Sequence, residues 1–494
     1  RRRRAKEEES REGREEGGSA MNSYSDPYQL YKKHIPLTYD FLTNHNLAHT
    51  SPCVCWGKVL RDTDEFTTQR IFYAKGGRNQ GDGRSIVVAD AKVDKELVAD
   101  ADEMASFGED EPSDKIRERH WIPMPENSDL NRMATVGAKN HLLVAKSDHQ
   151  FLHIWDLTDL QRSNLPAVSL EGHSKDANCA SFAMSVFLSP GSGSSVKVAS
   201  GDSDGVVLLW DVADASGGGE GRAHQPLIRF EVKGVVNGVA FNPAASDELT
   251  SVGEDGAVRF WDARSGSKPV GVCNVGFGEL YCVDWNAEDS NLVAIGSHSG
   301  HPILIFDRRT MKAGQPLHSL SLHSETVSCL RWRPGVVGEL VSGGDDGRVV
   351  IWDITRRNTD VARVKDHPKD PSKPLDPCVV FQHSAHRGSV EDVQWNPEIS
   401  GTVMSVSEAP KDENPSSENG FDNGEGGGGT LSIWRPSDLA SMSESEMVQE
   451  LRRVHAFIHA PTPAPEVDPW ETESDSESEE ALRSVASRRD GGGG

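Results

Sequence analysis

Long apolar runs are missing from this chain. None approaches the ~18 residues that cross a bilayer as a helix, so no membrane-spanning helix is expected. No signal-peptide pattern is visible either. Cysteine is scarce, with seven in 494 residues. The number is odd and no CxxC pair occurs, which excludes a disulfide framework and suggests free core thiols in a reducing compartment. Cys53-Val54-Cys55 has no second Cys/His pair at zinc spacing, so the pair is expected to pack in a core and no metal or other cofactor is expected. Positive charge is also short: 52 Lys and Arg against 77 Asp and Glu give −25. Residues 1–20 carry +1 and residues 461–494 carry −6, so −20 stays in the middle. Such a surface repels nucleic-acid phosphates and attracts basic partners. No direct nucleic-acid contact is expected.

What the chain does have is repetition. Apolar strands ending in Trp-Asp or a close relative recur at Trp155-Asp156, Trp210-Asp211, Trp261-Asp262, Phe306-Asp307, Trp352-Asp353 and Trp434-Arg435. A period of roughly 40–50 residues with this mark indicates four-stranded propeller blades. A first blade without the mark is read from Val54-Cys55-Trp56, Arg70 to Tyr73 and Ser85 to Ala89. The expected fold is all-β, a seven-bladed WD-repeat β-propeller over residues 51–458.

Each unit has a grammar. His323 lies in a loop, an alternating strand runs from Val327, a second strand contains Ser342, Asp345-Asp346-Gly347 turns the hairpin, and Trp352 closes the third strand. His323, Ser342, Asp346 and Trp352 are expected to form a buried hydrogen-bond relay, repeated by His173, Ser200, Asp204 and Trp210. A His-Ser-Asp set also invites a hydrolase reading. Recurrence argues against it, since Ser251, Asp255 and Trp261 repeat the offsets and an active site would occur once.

The remaining segments are read by composition and period. Residues 1–23 are expected to be a disordered charged tail. Residues 24–50 read as an N-terminal helix, with Asp26-Pro27 at its start and Tyr31, Ile35, Tyr39 and Leu42 near helical spacing. Two insertions, 357–377 and 408–429, interrupt the last long interval; the first, rich in Pro and Asp, is the better candidate for function. A short C-terminal helix is expected after Trp434, with Ser437 as cap and Met447, Leu451 and Val454 on its apolar side. Residues 459–494 read as a disordered acidic tail in which Ser474, Ser476 and Ser478 are candidates for phosphorylation.

The segment Tyr28-Gln29-Leu30-Tyr31-Lys32-Lys33-His34-Ile35-Pro36-Leu37-Thr38-Tyr39-Asp40, together with seven blades, resembles the MSI-type, retinoblastoma-binding family of histone-binding WD-repeat proteins. Gly426 to Arg435 and Ser437-Asp438-Leu439 look like its plant branch, linked to flowering time and chromatin silencing. The resemblance implies a nuclear, non-enzymatic scaffold. It would bind core histones and serve histone deacetylase, Polycomb-type methyltransferase or chromatin-assembly subunits in transcriptional regulation. It implies a groove for a histone helix, with Leu37 and Thr38 facing the ligand, Leu30, Tyr31 and Phe41 in support, and Asp370, Asp376 and Pro377 on the loop side. It also implies a peptide site on the propeller top at Asp129, Asn131, Asp176, Glu279, Glu325 and Glu391, where acids would hold Lys or Arg ends.

Two other readings stay open. Trp261-Asp262-Ala263-Arg264 matches the Trp-Asp-x-Arg box with which substrate receptors of cullin-type ubiquitin ligases dock their adaptor. A ribosome-assembly WD-repeat protein is the third possibility, weakened by the acidic surface.

Overall fold

The computed structural model describes residues 35, 38–76, 84–95, 113–136, 141–158, 164–174, 183–188, 195–212, 222–298, 300–311, 315–358, 376–409 and 428–437. All of these belong to one compact unit, Arg1–Met442. The expected C-terminal helix and both charged tails lie outside the described residues.

Among the described residues the strands make seven sheets. Their inner strands are Val54–Asp62, Leu130–Val136, Met184–Leu188, Val236–Asn242, Leu280–Trp285, Val327–Trp332 and Val390–Trp395, which number blades one to seven. Successive strands within a blade pair antiparallel, as Val327–Trp332 does with Glu339–Gly344 and that strand with Val349–Asp353. The fold is therefore the expected seven-bladed propeller. Blade one is the unmarked unit, and both insertions fall where the period placed them. The first enters blade six before its outer strand Val379–His383, and the second separates Val403–Ser407 from Thr430–Pro436 in blade seven.

The Trp marks are core residues. Trp155, Trp210, Trp261, Trp352 and Trp434 are each no more than 1% exposed, and burying such a side chain contributes about 3 kcal/mol. Phe306 takes the same role in blade five, where it is 1% exposed.

Blade seven corrects the N-terminal expectation. Tyr39–Asn46 is a strand, not the second half of a helix, and it pairs antiparallel with Thr430–Pro436 as that blade's outer strand. Only Ile35 and Thr38 are described as helical. The helix spacing of Tyr39 and Leu42 has another origin. A register shift between Tyr39 and Phe41 lets Tyr39 and Leu42 join the core shared with blade six. Phe41 joins the core of blade one. The outer edge of Thr430–Pro436 would otherwise present unpaired N–H and C=O groups, so the strand pairing outweighs the local helical pattern.

The ring is also tied across its centre. Asp392 of blade seven is fully buried; one oxygen accepts from the Val54 amide of blade one at 3.2 Å and the other lies 2.8 Å from Arg132 of blade two. One carboxylate thus joins three blades across the point where the chain's two ends meet.

Candidate functional site

The polar relays come first because they position everything else. In blade six, His323 Nδ1 lies 3.0 Å from Asp346 and Nε2 lies 2.8 Å from Ser342 Oγ, which accepts from Trp352 Nε1 at 2.8 Å. That is the relay expected from sequence. Blade three differs in two members. His173 pairs with Asp202 at 2.8 Å, not Asp204, and Trp210 donates to the Glu171 carbonyl at 3.2 Å instead of to Ser200. Asp202 precedes the turn and its other oxygen accepts the Val206 amide at 2.8 Å, which fixes it where Asp204 cannot reach. In blade four, Trp261 donates to Ser251 at 2.9 Å, while Asp255 caps the Ala257 amide at 3.2 Å. Blade seven carries a relay that the offsets missed: His386 meets Ser405 at 2.7 Å and Ser407 at 2.9 Å, and Trp434 donates to Ser405 at 3.1 Å. In each of these blades the serine is buried to 1% or less beside a Trp, so it is a structural link.

The residues named for the histone groove divide. Leu30, Tyr31, Leu37 and Asp370 lie outside the described residues. Thr38 is half-buried, and its carbonyl accepts the Ser437 amide at 2.9 Å. Phe41 is 2% exposed in the core between blades seven and one. Asp376 caps the loop exit, accepting the Ser321 amide at 3.2 Å and the Cys378 amide at 3.0 Å, with exposed Pro377 beside it. Tyr39 was not singled out from sequence, yet it joins the two sides. Its hydroxyl lies 2.8 Å from His383 Nδ1, and its ring meets Phe381 edge-on at 5.1 Å. Ile35, 1% exposed, packs into the same cluster with Val380 and Phe381. The end of the N-terminal segment and the strand that follows insertion 357–377 therefore meet directly.

The propeller-top residues sit near the starts of inner strands, as their positions require. Asp129 is ion-paired with Arg84, and burial pushes its carboxyl up despite that partner. Asp129 and buried Asn131 line a pocket of about 190 Å³ with Pro52, Lys75, Met124 and Leu130. Glu279 accepts from Asn237 at 3.0 Å. Burial raises the Tyr281 hydroxyl, and Glu279 raises it further. Glu325 is exposed. Glu391 is pushed up to about 7, first by burial, then by Glu408, with Asp345 and Asp392 adding and Arg132 opposing. A cation placed there would draw the proton off this carboxyl near neutral pH. Glu408 and Asp345 were read from sequence only as loop and turn residues, not as neighbours of Glu391. Asp176 lies outside the described residues.

The expected ligase-adaptor box has ordinary local geometry. Arg264 donates to Asp262 through Nε at 2.9 Å and a terminal nitrogen at 2.8 Å. Arg309 makes the same fork on Asp307, at 3.1 and 2.7 Å, one blade on. The fork closes the turn after a third strand, and Trp261 of the box is simply core. Among the described residues no group of three or more His, Cys, Asp or Glu side chains is arranged to hold a metal ion.

The WD domain, G-beta repeat, matches residues 165–211 and 314–353. The WD-40 repeat-containing protein MSI4 of Arabidopsis thaliana is 29% identical over 473 residues, covering 88% of this chain and 86% of that protein. The chain is therefore similar to an MSI-type WD-repeat protein over most of both lengths. The histone acetyltransferase type B subunit 2 of Candida glabrata is 21% identical, covering 77% of this chain and 85% of its own length. The E3 ubiquitin-protein ligase COP1 of Arabidopsis thaliana is 29% identical, but over only 35% of this chain and 23% of that protein. The MSI4 likeness thus covers most of both chains, whereas the ligase likeness covers about a third of this one.

Proposed function

We propose that this chain is a non-enzymatic, nuclear scaffold that binds core histones on behalf of chromatin-modifying or nucleosome-assembly complexes. Chromatin silencing and transcriptional regulation are the setting we assign to it. The observation that carries the reading is the meeting of Tyr39 and Ile35 with Phe381 and His383. It supports a groove whose two walls are the N-terminal helix and insertion 357–377. A basic amphipathic helix suits an apolar floor beside carboxylates. A relative named as a histone acetyltransferase subunit, similar over most of its length, points the same way.

The test is binding of the full chain to a synthetic core-histone helix peptide, measured by calorimetry. Saturable binding is expected, with Leu37→Asp weakening it by roughly tenfold or more, the effect of burying a charge in an apolar contact. Absent binding, or a Leu37→Asp variant equal to wild type, rejects the groove.

A further inference from the structure

The central channel holds a chamber that neither peptide surface uses. Its volume is about 300 Å³, and inner strands of all seven blades line it. Trp56 and Trp395 form part of its wall, and Arg132, Asp284, Arg331 and Gln394 supply its polar groups. It widens along blade three, whose inner strand Met184–Leu188 is half-buried throughout, while the matching strand of blade six is mostly buried.

Two arginines share one carboxylate here. Arg132, with a side chain 11% exposed, holds the fully buried Asp392 at 2.8 Å. Asp392 also accepts the Val54 amide at 3.2 Å and the Gln394 side-chain amide at 3.4 Å. Arg331 reaches the same carboxylate only at 4.0 Å and donates to its own strand at the Leu330 carbonyl, 2.9 Å away. A guanidinium carries five N–H donors in a planar fork, and the Arg331 side chain remains 30% exposed inside the channel. Asp284 is the other acid on the wall. Its oxygen is engaged by the Trp332 amide at 2.9 Å, and burial pushes its carboxyl up, against the opposing pull of Arg331.

We infer that this chamber binds one compact free anion, a carboxylate or a phosphate, on the Arg331 fork. Charge-assisted, two-point hydrogen bonding is what a guanidinium offers such groups. The chamber's size admits a small metabolite and excludes a folded segment. This site is independent of the histone surfaces, which lie at the ring's flank and at the inner strands' starts.

Equilibrium dialysis of the full chain against labelled inorganic phosphate, and separately against labelled acetate, tests the proposal at constant ionic strength. Saturable uptake of about one anion per chain is expected for at least one of the two. Which anion binds identifies the source. Arg331→Gln should weaken uptake about tenfold or more, the loss of a charge-assisted pair. Arg333→Gln, at a neighbouring arginine paired with Glu339 outside the chamber, should leave it unchanged. Arg331→Lys keeps the charge without the fork and should lie between wild type and Arg331→Gln, which serves if the glutamine variant folds poorly. No saturable uptake of either anion by wild type, or equal loss in the Arg331 and Arg333 variants, overturns the site.

Discussion

Blades six and seven carry the same relay but are closed differently. In blade six the His, Ser and Trp, and the outer strand Val379–His383, all come from one stretch of chain. In blade seven the relay residues are local, but the outer strand Tyr39–Asn46 arrives from the other end of the sequence. The contrast separates two kinds of stability that a propeller needs. One is built within a unit by short-range pairing. The other exists only when the ring is whole.

Removing residues 1–46 attacks the second kind alone. It leaves Thr430–Pro436 as an open edge and uncovers the core around Trp434, so a larger effect than from any single substitution is expected. Gel filtration and thermal melting should show aggregation or loss of the cooperative transition. A truncated chain that melts like the full one would mean that closure by this strand contributes little. A smaller effect is expected from Ser342→Ala and Ser405→Ala, each of which removes a hydroxyl that bonds a buried His and accepts a buried Trp N–H. Each should cost about 1–3 kcal/mol in chemical denaturation. Losses of similar size support equivalent relays, and a much larger loss at Ser405 would show that ring closure leans on the blade-seven relay.

Acid should distinguish the blades most gently. Burial holds the His386 imidazole down at about 3, against an ordinary 6.5. Between those values the unfolded chain takes up a proton that the folded blade refuses, so this contribution to stability is full above 6.5 and falls as pH drops. His386 faces Ser405, Ser407 and the ring of His383 at 5.3 Å. His323 instead faces the Asp346 carboxylate at 3.0 Å. Hydrogen exchange between pH 6.5 and 4.5 should therefore show Val403–Ser407 losing protection before Glu339–Gly344. The reverse order would sink the argument.

The ring was largely legible in the sequence because its signals are local. Trp-Asp marks, alternating strands and Gly turns all act within one unit, and they gave the blade number and both insertion points. The closure strand was not legible. Tyr39, Phe41 and Leu42 satisfy a helical spacing, and the strand that overrides it lies at the far end of the chain. The Asp202 partner of His173 was missed for a smaller reason, since it stands two residues before the expected Asp204 and only the turn geometry decides between them. Among the residues named for the peptide site, Asp129, Asn131, Glu279 and Glu391 came from the family resemblance, and only their placement near the starts of inner strands is legible from the strand pattern. Tyr39, Glu408 and Arg331 could not be anticipated, since their roles depend on neighbours from other blades.

The pairing of residues 388 positions apart, such as Asn44 with Ser432, has a consequence for synthesis on the ribosome. At about 5–20 residues per second the first strand waits on the order of 20–80 s for its mate to emerge. Through that interval the nascent chain carries a strand whose hydrogen-bonding margin is bare, the kind of segment that chaperones hold.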